Sequence, residues 1–248
     1  MSDTGGTSGA EPFKEIPASV FADDDGSADA RLAQALIRYS HGKTSLGEVV
    51  DALAYARVLI PVMSSGEKRV MGEHGVEKDE VASTGVVAVQ MPDGRAALPV
   101  FTDVDAVRAW NDKARPIPAE GPRAALAAIA ESWASLVINP GMETVVVPRP
   151  AVWALGQGLD WRPAVVDGEL AADVRDAVTS AVSTDSALVE VDAVAGRGAE
   201  VTVVLRLTPG LTQPEVDDVV ARVQRELAHS DVIAQRVDSL ELRLAAAS

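Results

Sequence analysis

The stretch Leu98-Pro99-Val100-Phe101-Thr102-Asp103-Val104-Asp105-Ala106-Val107-Arg108-Ala109-Trp110 decides how the first part of the chain folds. Leu98, Val100 and Phe101 read as the end of a buried strand. Val104, Val107 and Trp110 recur at helical spacing. Between them Thr102 stands where a side-chain oxygen caps free amides, and Asp105, three residues on, completes an acidic variant of the capping box. Asp103 and Asp105 also lie at the positive end of the helix dipole. The stretch is a joint: strand, cap, helix.

Upstream, Gly85 to Gln90 and Arg95 to Val100 form a hairpin across Met91-Pro92-Asp93-Gly94, whose Pro-Asp-Gly supplies turn geometry. Arg57 to Val62 (RVLIPV) is a short apolar run. Its internal proline cannot donate to a ladder, which predicts an edge strand or the end of one. Two helices precede it: Ala28 to Tyr39, with Leu32, Ala35, Leu36 and Tyr39 on one face, and a second opened by a Ser45-Leu46-Gly47-Glu48 capping box, with Val49, Leu53 and Ala56 as its stripe. The first 25 residues are polar and read as a disordered tail. Asp23-Asp24-Asp25-Gly26 fails the EF-hand template, because Phe21 and Leu32 stand where carboxylates are needed. It reads as a solvated acidic lead-in. Met63 to Thr84 is a long charged loop in which His74 stands beside Glu73, Glu77 and Asp79. That is the only local constellation resembling acid–base or hard-metal chemistry, and a loop before a strand pair accounts for it more simply.

Downstream, Arg115-Pro116-Ile117-Pro118 reads as a loop. Gly121-Pro122 starts a helix, proline being tolerated in the first turn, with Leu126, Ile129, Ala130 and Trp133 on one side. Ser135 to Asn139 and Thr144 to Val147 form a second hairpin across Pro140-Gly141-Met142-Glu143. Pro148 to Gly158 is a last helix carrying Val152 and Leu155.

The order Arg57-Val58-Leu59-Ile60-Pro61-Val62, then Leu98-Pro99-Val100-Phe101-Thr102 with Trp110, then Leu136-Val137-Ile138-Asn139-Pro140-Gly141, resembles the N-terminal domain of the SseB (enhanced serine sensitivity) family, in an actinobacterial form. The likeness spans about Asp29 to Gly158. It implies an α/β domain and a link to a serine-sensitivity trait, with Pro99, Phe101, Thr102, Trp110, Asn139, Pro140 and Gly141 as structural signature residues. It brings no catalytic residue with it. A rhodanese-like sulfurtransferase, which shares the abbreviation, needs a persulfide-bearing cysteine, and the chain contains no cysteine.

Asp160-Trp161-Arg162-Pro163 reads as a linker. Beyond Trp161 there is no Phe, Tyr, Trp or Lys, and residues 165–248 hold 15 acidic residues against seven arginines. Pro163 to Val166 is a short strand, Leu170 to Val182 a helix, Leu188 to Val194 and Val201 to Leu207 two strands. Thr212-Gln213-Pro214-Glu215 opens a helix with Val216, Val219, Val220, Val223 and Leu227 on one stripe. Leu240, Leu242 and Leu244 alternate with Glu241 and Arg243 on a last strand. The βαββαβ order predicts a ferredoxin-like sandwich, with helices on one side of an antiparallel sheet.

The expected fold class is therefore α/β (α+β) in two domains: a tail over 1–25, an SseB-like domain over 26–160, and a ferredoxin-like domain over 161–248. A net charge of −15 argues against phosphate-backbone contacts and anionic membranes. The βαββαβ order is shared with RNA-binding modules, but those stack bases on sheet aromatics, and none occurs after Trp161. No thiolate chemistry is available. Gly156-Gln157-Gly158 and Gly196-Arg197-Gly198 lack the third glycine of a dinucleotide loop. There is no nucleophile elbow, and His41, His74 and His229 are far apart in sequence. No secretory signal or long apolar span is present.

These exclusions lead to a non-enzymatic, cytoplasmic interaction or regulatory protein with no cofactor, no metal and no nucleic acid or membrane partner. The outward positions Glu190, Asp192, Thr202, Val204, Arg206, Glu241 and Arg243 form a candidate interaction surface. Two readings of it stand: homodimerisation through the C-terminal domain, or a solvated face. The alternative function is a small-metabolite or amino-acid sensor with a pocket near the start of the Leu98–Trp110 helix, where Thr102 and Asp105 compete for the amides a carboxylate would use. An unrecognised hydrolase is the third reading.

Overall fold

The computed structural model describes Phe21 and residues 24–63, 85–182 and 185–245. The constellation around His74 lies outside the described residues.

Two helices open the fold, α1 (Ala30–Ser40) and α2 (Leu46–Leu53). Asp29 caps α1 by accepting from the amides of Arg31 and Leu32. Ser45 precedes α2 as expected, but its side chain makes no capping bond, so the predicted box does not close. The chain continues through β1 (Arg57–Val62), β2 (Val89–Gln90), β3 (Ala96–Val100), α3 (Val104–Trp110), β4 (Arg115–Glu120), α4 (Gly121–Ala130), β5 (Ser135–Ile138), β6 (Val145–Val147) and α5 (Arg149–Gln157).

The main sheet runs β2-β3-β5-β6. Strands β3 and β5 are parallel, with Leu98 opposite Leu136 and Val100 opposite Ile138, and both predicted hairpins form on its flanks. Helix α4 lies in the long β3-to-β5 connection that parallel pairing requires. The central strands are apolar on both sides, the pattern of strands covered on both faces. Leu98, Val100, Leu136 and Ile138 join one hydrophobic cluster with residues of α1, α2, α4 and α5. Ala97 and Val137 pack with Val89 in another, and Phe101 packs with Leu59, Ala106 and Val107 in a third.

Three sequence readings change here. The predicted loop Arg115-Pro116-Ile117-Pro118 is strand β4, paired antiparallel with β1. Leu59 exchanges both main-chain bonds with Phe101, at 2.8 and 2.9 Å, so its polar groups face away from β4. By the two-residue period, Leu59–Pro118 and Pro61–Pro116 are the non-hydrogen-bonded pairs of this ladder. All three prolines therefore stand where no amide is required. The second change is in α4, which turns Ala124, Ala125 and Ala128 into the core and leaves Leu126 and Ile129 partly exposed. A close approach selects the small face: a Cβ on Gly121 would lie 2.0 Å from the Leu53 carbonyl oxygen. Third, Asp24 is not merely solvated. Its carboxylate pairs with Arg57 at 2.8 Å.

The Asp160–Pro163 segment is not a loose linker. Trp161 is only 4% exposed and belongs to the first hydrophobic cluster. Arg236 donates to the carbonyls of Arg162 and Pro163, at 2.7 Å each, and also pairs with Asp173.

Beyond it come β7 (Val165–Val166), β8 (Glu169–Leu170), α6 (Ala172–Val182), β9 (Leu188–Ala195), β10 (Val201–Leu207), α7 (Gln213–Ala228), α8 (Asp231–Arg236) and β11 (Leu240–Ala245). The sheet differs from the expected antiparallel sandwich. It is three-stranded, ordered β11-β10-β9, with β9 antiparallel and β11 parallel to β10. The first strand instead closes on itself as the β7–β8 hairpin, across Asp167 (φ 53°) and Gly168 (φ 80°). Both central residues have positive φ, as a tight I′-type hairpin requires, and Asp-Gly is its common sequence. Helix α6 consequently begins after Leu170, at Ala172. The α7 cap forms as predicted, Glu215 accepting from the Thr212 amide at 2.7 Å. Val174, Val178, Val219, Val223, Leu227 and Ile233 pack with Val201, Val203 and Leu205 in a separate cluster on one face of the sheet.

Candidate functional site

The signature residues converge where β3 and β5 end. Phe101 is fully buried, and its ring meets that of Trp110 at 5.3 Å between centroids, tilted by 46°. Asn139, in a left-handed conformation (φ 49°), reaches from the end of β5 to Thr102. Its Oδ1 accepts from the Thr102 amide at 3.0 Å, and its Nδ2 donates to Thr102 Oγ1 at 3.1 Å. Pro140 and Gly141 (φ 82°) turn the chain into β6, and Pro99 sits within β3. Arg57 Nη1 donates to the Thr102 carbonyl at 2.8 Å.

The helix cap belongs to Asp103, which accepts from the Ala106 amide at 2.8 Å. Neither Thr102 nor Asp105 fills that role. Thr102 Oγ1 instead donates to Asp103 Oδ2 at 2.8 Å, holding the cap in place. The Val104 amide is taken by the Gly26 carbonyl. Two of the first-turn amides that a carboxylate ligand would use, those of Val104 and Ala106, are thus occupied by the protein itself.

The seven candidate surface residues fall on three adjacent strands. Cross-strand register places Glu190 beside Arg206, Val204 between Asp192 and Arg243, and Thr202 beside Glu241. The helices pack against the opposite face, on Val201, Val203 and Leu205. Arg206 pairs with Glu190 at 2.8 Å, and Arg243 donates to Glu241 at 3.2 Å. Thr202 is the exception on this face. It is 3% exposed, donates to Glu241 at 2.6 Å, and is overlain by the turn at Gly196, where an added Cβ would stand 2.8 Å from its hydroxyl.

Two of the cavities bounded by described residues lie away from this face. One, of about 730 Å³, is an apolar groove between α7, α8 and β11, lined by Val220, Leu227, Ile233, Leu240, Leu242 and Leu244, with Arg149 among the residues bounding it. The other, of about 490 Å³, lies between α2 and the Asp160–Arg162 segment and brings Arg31, Asp51, Tyr55, Asp160 and Arg162 together against Trp161. Burial and the neighbouring Asp160 push the Asp51 carboxyl above the ordinary carboxylate range. The Trp161 indole N–H is buried and has no hydrogen-bond partner among the described residues.

His41 and His229 each stand at a helix C-terminus, on α1 and α7. Among the described residues no cluster of His, Asp and Glu has metal-binding geometry, and no helix is long and apolar enough to cross a membrane.

Asp238 is a feature the sequence reading missed. It accepts from Arg95 at 3.0 Å and from the Arg149 amide at 3.3 Å, while its own amide donates to Glu200 at 2.7 Å. It therefore ties the segment before β11 to the turn that leads into β3 and to the start of α5. A lone aspartate in a turn carries no sequence signal for such a role.

Fold and junction together define an α/β protein whose signature residues hold a strand–helix joint. Residues 32–154 match the family model described as SseB protein N-terminal domain, and the chain belongs to the SseB family. No curated protein and no solved structure matches it.

Proposed function

We propose that the chain is a non-catalytic, cytoplasmic protein that works by binding other proteins, in a regulatory role, through its C-terminal sheet. One observation carries this reading. The sheet turns Glu190, Asp192, Val204, Arg206, Glu241 and Arg243 to the face opposite the one on which the described helices pack, with both charge signs interspersed. Such a mosaic selects a partner by charge complementarity more than by bulk hydrophobicity. The test is affinity capture with the full chain and with Glu190→Arg/Arg206→Glu, which exchanges the two charges of one pair. A partner held by the native face and lost with the variant supports the reading. A partner held equally by both contradicts it.

A second reading, amino-acid or small-metabolite sensing, is favoured by the 490 Å³ cavity. Its carboxylates (Asp51, Asp160) and guanidinium groups (Arg31, Arg162) offer opposite charges to the two ends of a zwitterion. The family's association with serine makes serine the first ligand to try. A thermal shift with millimolar serine or another amino acid, abolished by Asp51→Asn, supports it, and no shift across the amino acids contradicts it.

A further inference from the structure

Strand β11 ends the sheet order β11-β10-β9, so one of its edges is unpaired within the described chain. Which groups that edge presents follows from the ladder. The Val201 amide donates to the Ser239 carbonyl at 3.1 Å, and Val201 lies opposite Leu240 in the parallel register. With a period of two, Ser239, Glu241 and Arg243 direct their main-chain groups to β10, while Leu240, Leu242 and Leu244 direct theirs outward. An open edge of this kind is a template for another strand. Its side chains alternate as well: Leu240, Leu242 and Leu244 line the apolar groove, and Glu241 and Arg243 lie on the face away from the helices.

The sequence Leu240-Glu241-Leu242-Arg243-Leu244 is chemically self-complementary when read against its own reverse. We propose that the chain forms a two-fold dimer by antiparallel pairing of β11 with β11 of a second copy, the axis passing at Leu242. This rests on the interaction reading above and names the partner and the edge.

Leu242 faces Leu242 of the second copy, and Leu240 faces Leu244. All three are residues whose amides and carbonyls point outward, so these pairs exchange about six main-chain hydrogen bonds. On the face away from the helices Glu241 comes opposite Arg243 of the second copy, twice by symmetry. Neighbouring registers lack this match: an axis at Glu241 sets carboxylate against carboxylate, and one at Arg243 sets guanidinium against guanidinium. Directly opposed like charges destabilise a strand pair, and opposite charges support it. Arg243 has donors to spare beyond its bond to Glu241 within the strand. On the groove side the α7 wall is uncharged, formed by Val220, Gln224, Leu227 and Ala228. Leu244, 47% exposed in the single chain, is covered by Leu240 of the other copy. The contact is isologous and closes on itself, giving a dimer and no filament.

Sedimentation equilibrium of the full chain tests this, using Glu241→Arg, Arg243→Glu, the double variant and an equimolar mixture of the two single variants. The native chain should dimerise. Each single variant should weaken dimerisation by roughly tenfold or more, since both symmetric pairs become repulsive. The double variant, which swaps the charges, should dimerise again. So should the mixture, in which one chain carries two arginines and the other two glutamates. Recovery in the mixture also shows that both single variants are folded. A native chain that stays monomeric to near-millimolar concentration overturns the proposal, as does a mixture that fails to associate. A dimer unaffected by the single variants overturns the edge pairing alone and leaves a binding role for another surface in place.

Discussion

Asn139 holds Thr102 by two hydrogen bonds, accepting from its amide at 3.0 Å and donating to its hydroxyl at 3.1 Å. Thr102 in turn steadies Asp103, the residue that caps α3. The ends of two parallel strands and the start of a helix are thereby fixed by one side chain. Asn139→Ala removes both bonds and leaves the Thr102 amide in a buried setting without a partner. It should destabilise the protein by about 2 kcal/mol, read as a lower denaturation midpoint at unchanged slope.

Gly121 begins α4 against the backbone of α2. The Leu53 carbonyl oxygen would stand 2.0 Å from any Cβ there, and backbone cannot retreat as a flexible side chain can. Gly121→Ala should therefore cost about 3 kcal/mol or more, although alanine is the better helix former. A higher melting temperature for this variant would contradict the packing described.

Arg236 fastens the Asp160–Pro163 segment through the Arg162 and Pro163 carbonyls. Arg236→Met keeps an unbranched apolar stem and removes the donors. It should lower stability by about 2 kcal/mol and speed proteolysis between residues 160 and 164. Equal cleavage in both proteins would show that burial of Trp161 alone secures the segment.

The Asp185 carboxylate lies against Arg222, which donates to it at 3.0 and 3.3 Å, and the Arg222 bond is the main cause holding its pKa below the ordinary carboxylate value. A group depressed in the folded state stabilises above its unfolded pKa, and that contribution disappears as pH falls through the folded one. Asp185→Asn should lower stability at pH 7 and converge with the native chain as pH falls through the lowered folded-state pKa of Asp185. A constant difference across that range would contradict the pairing.

Much of the first part of the fold is legible in sequence because its signals are local. The two hairpins, the proline start of α4 and the glycine stop of α5 stand where turn and cap residues place them. Strand β4 is not legible, because prolines 116 and 118 count against a strand until the partner's register is known. The inward face of α4 misleads for a related reason: close helix packing at Gly121 rewards alanine over the larger Leu126 and Ile129.

In the C-terminal part the βαββαβ element order predicts a four-stranded sheet. The Asp167-Gly168 dipeptide is a hairpin signal, and the first strand turns back on itself there. Alternation puts the seven candidate residues on one sheet face; the cross-strand register pairs them on that face, but Thr202 is buried there. The burial of Thr202 under the Gly196 turn, and the direction of β11 relative to β10, are tertiary facts with no local signature.

Amide hydrogen exchange along β11 tests most directly whether the C-terminal sheet is a binding element. In the full chain, Glu241 and Arg243 should exchange slowly at all concentrations, because they bond to β10. Leu240, Leu242 and Leu244 should exchange fast at low-micromolar concentration and become protected towards millimolar, as the second strand occupies their edge. Fast exchange of those three leucines at both concentrations would contradict the account.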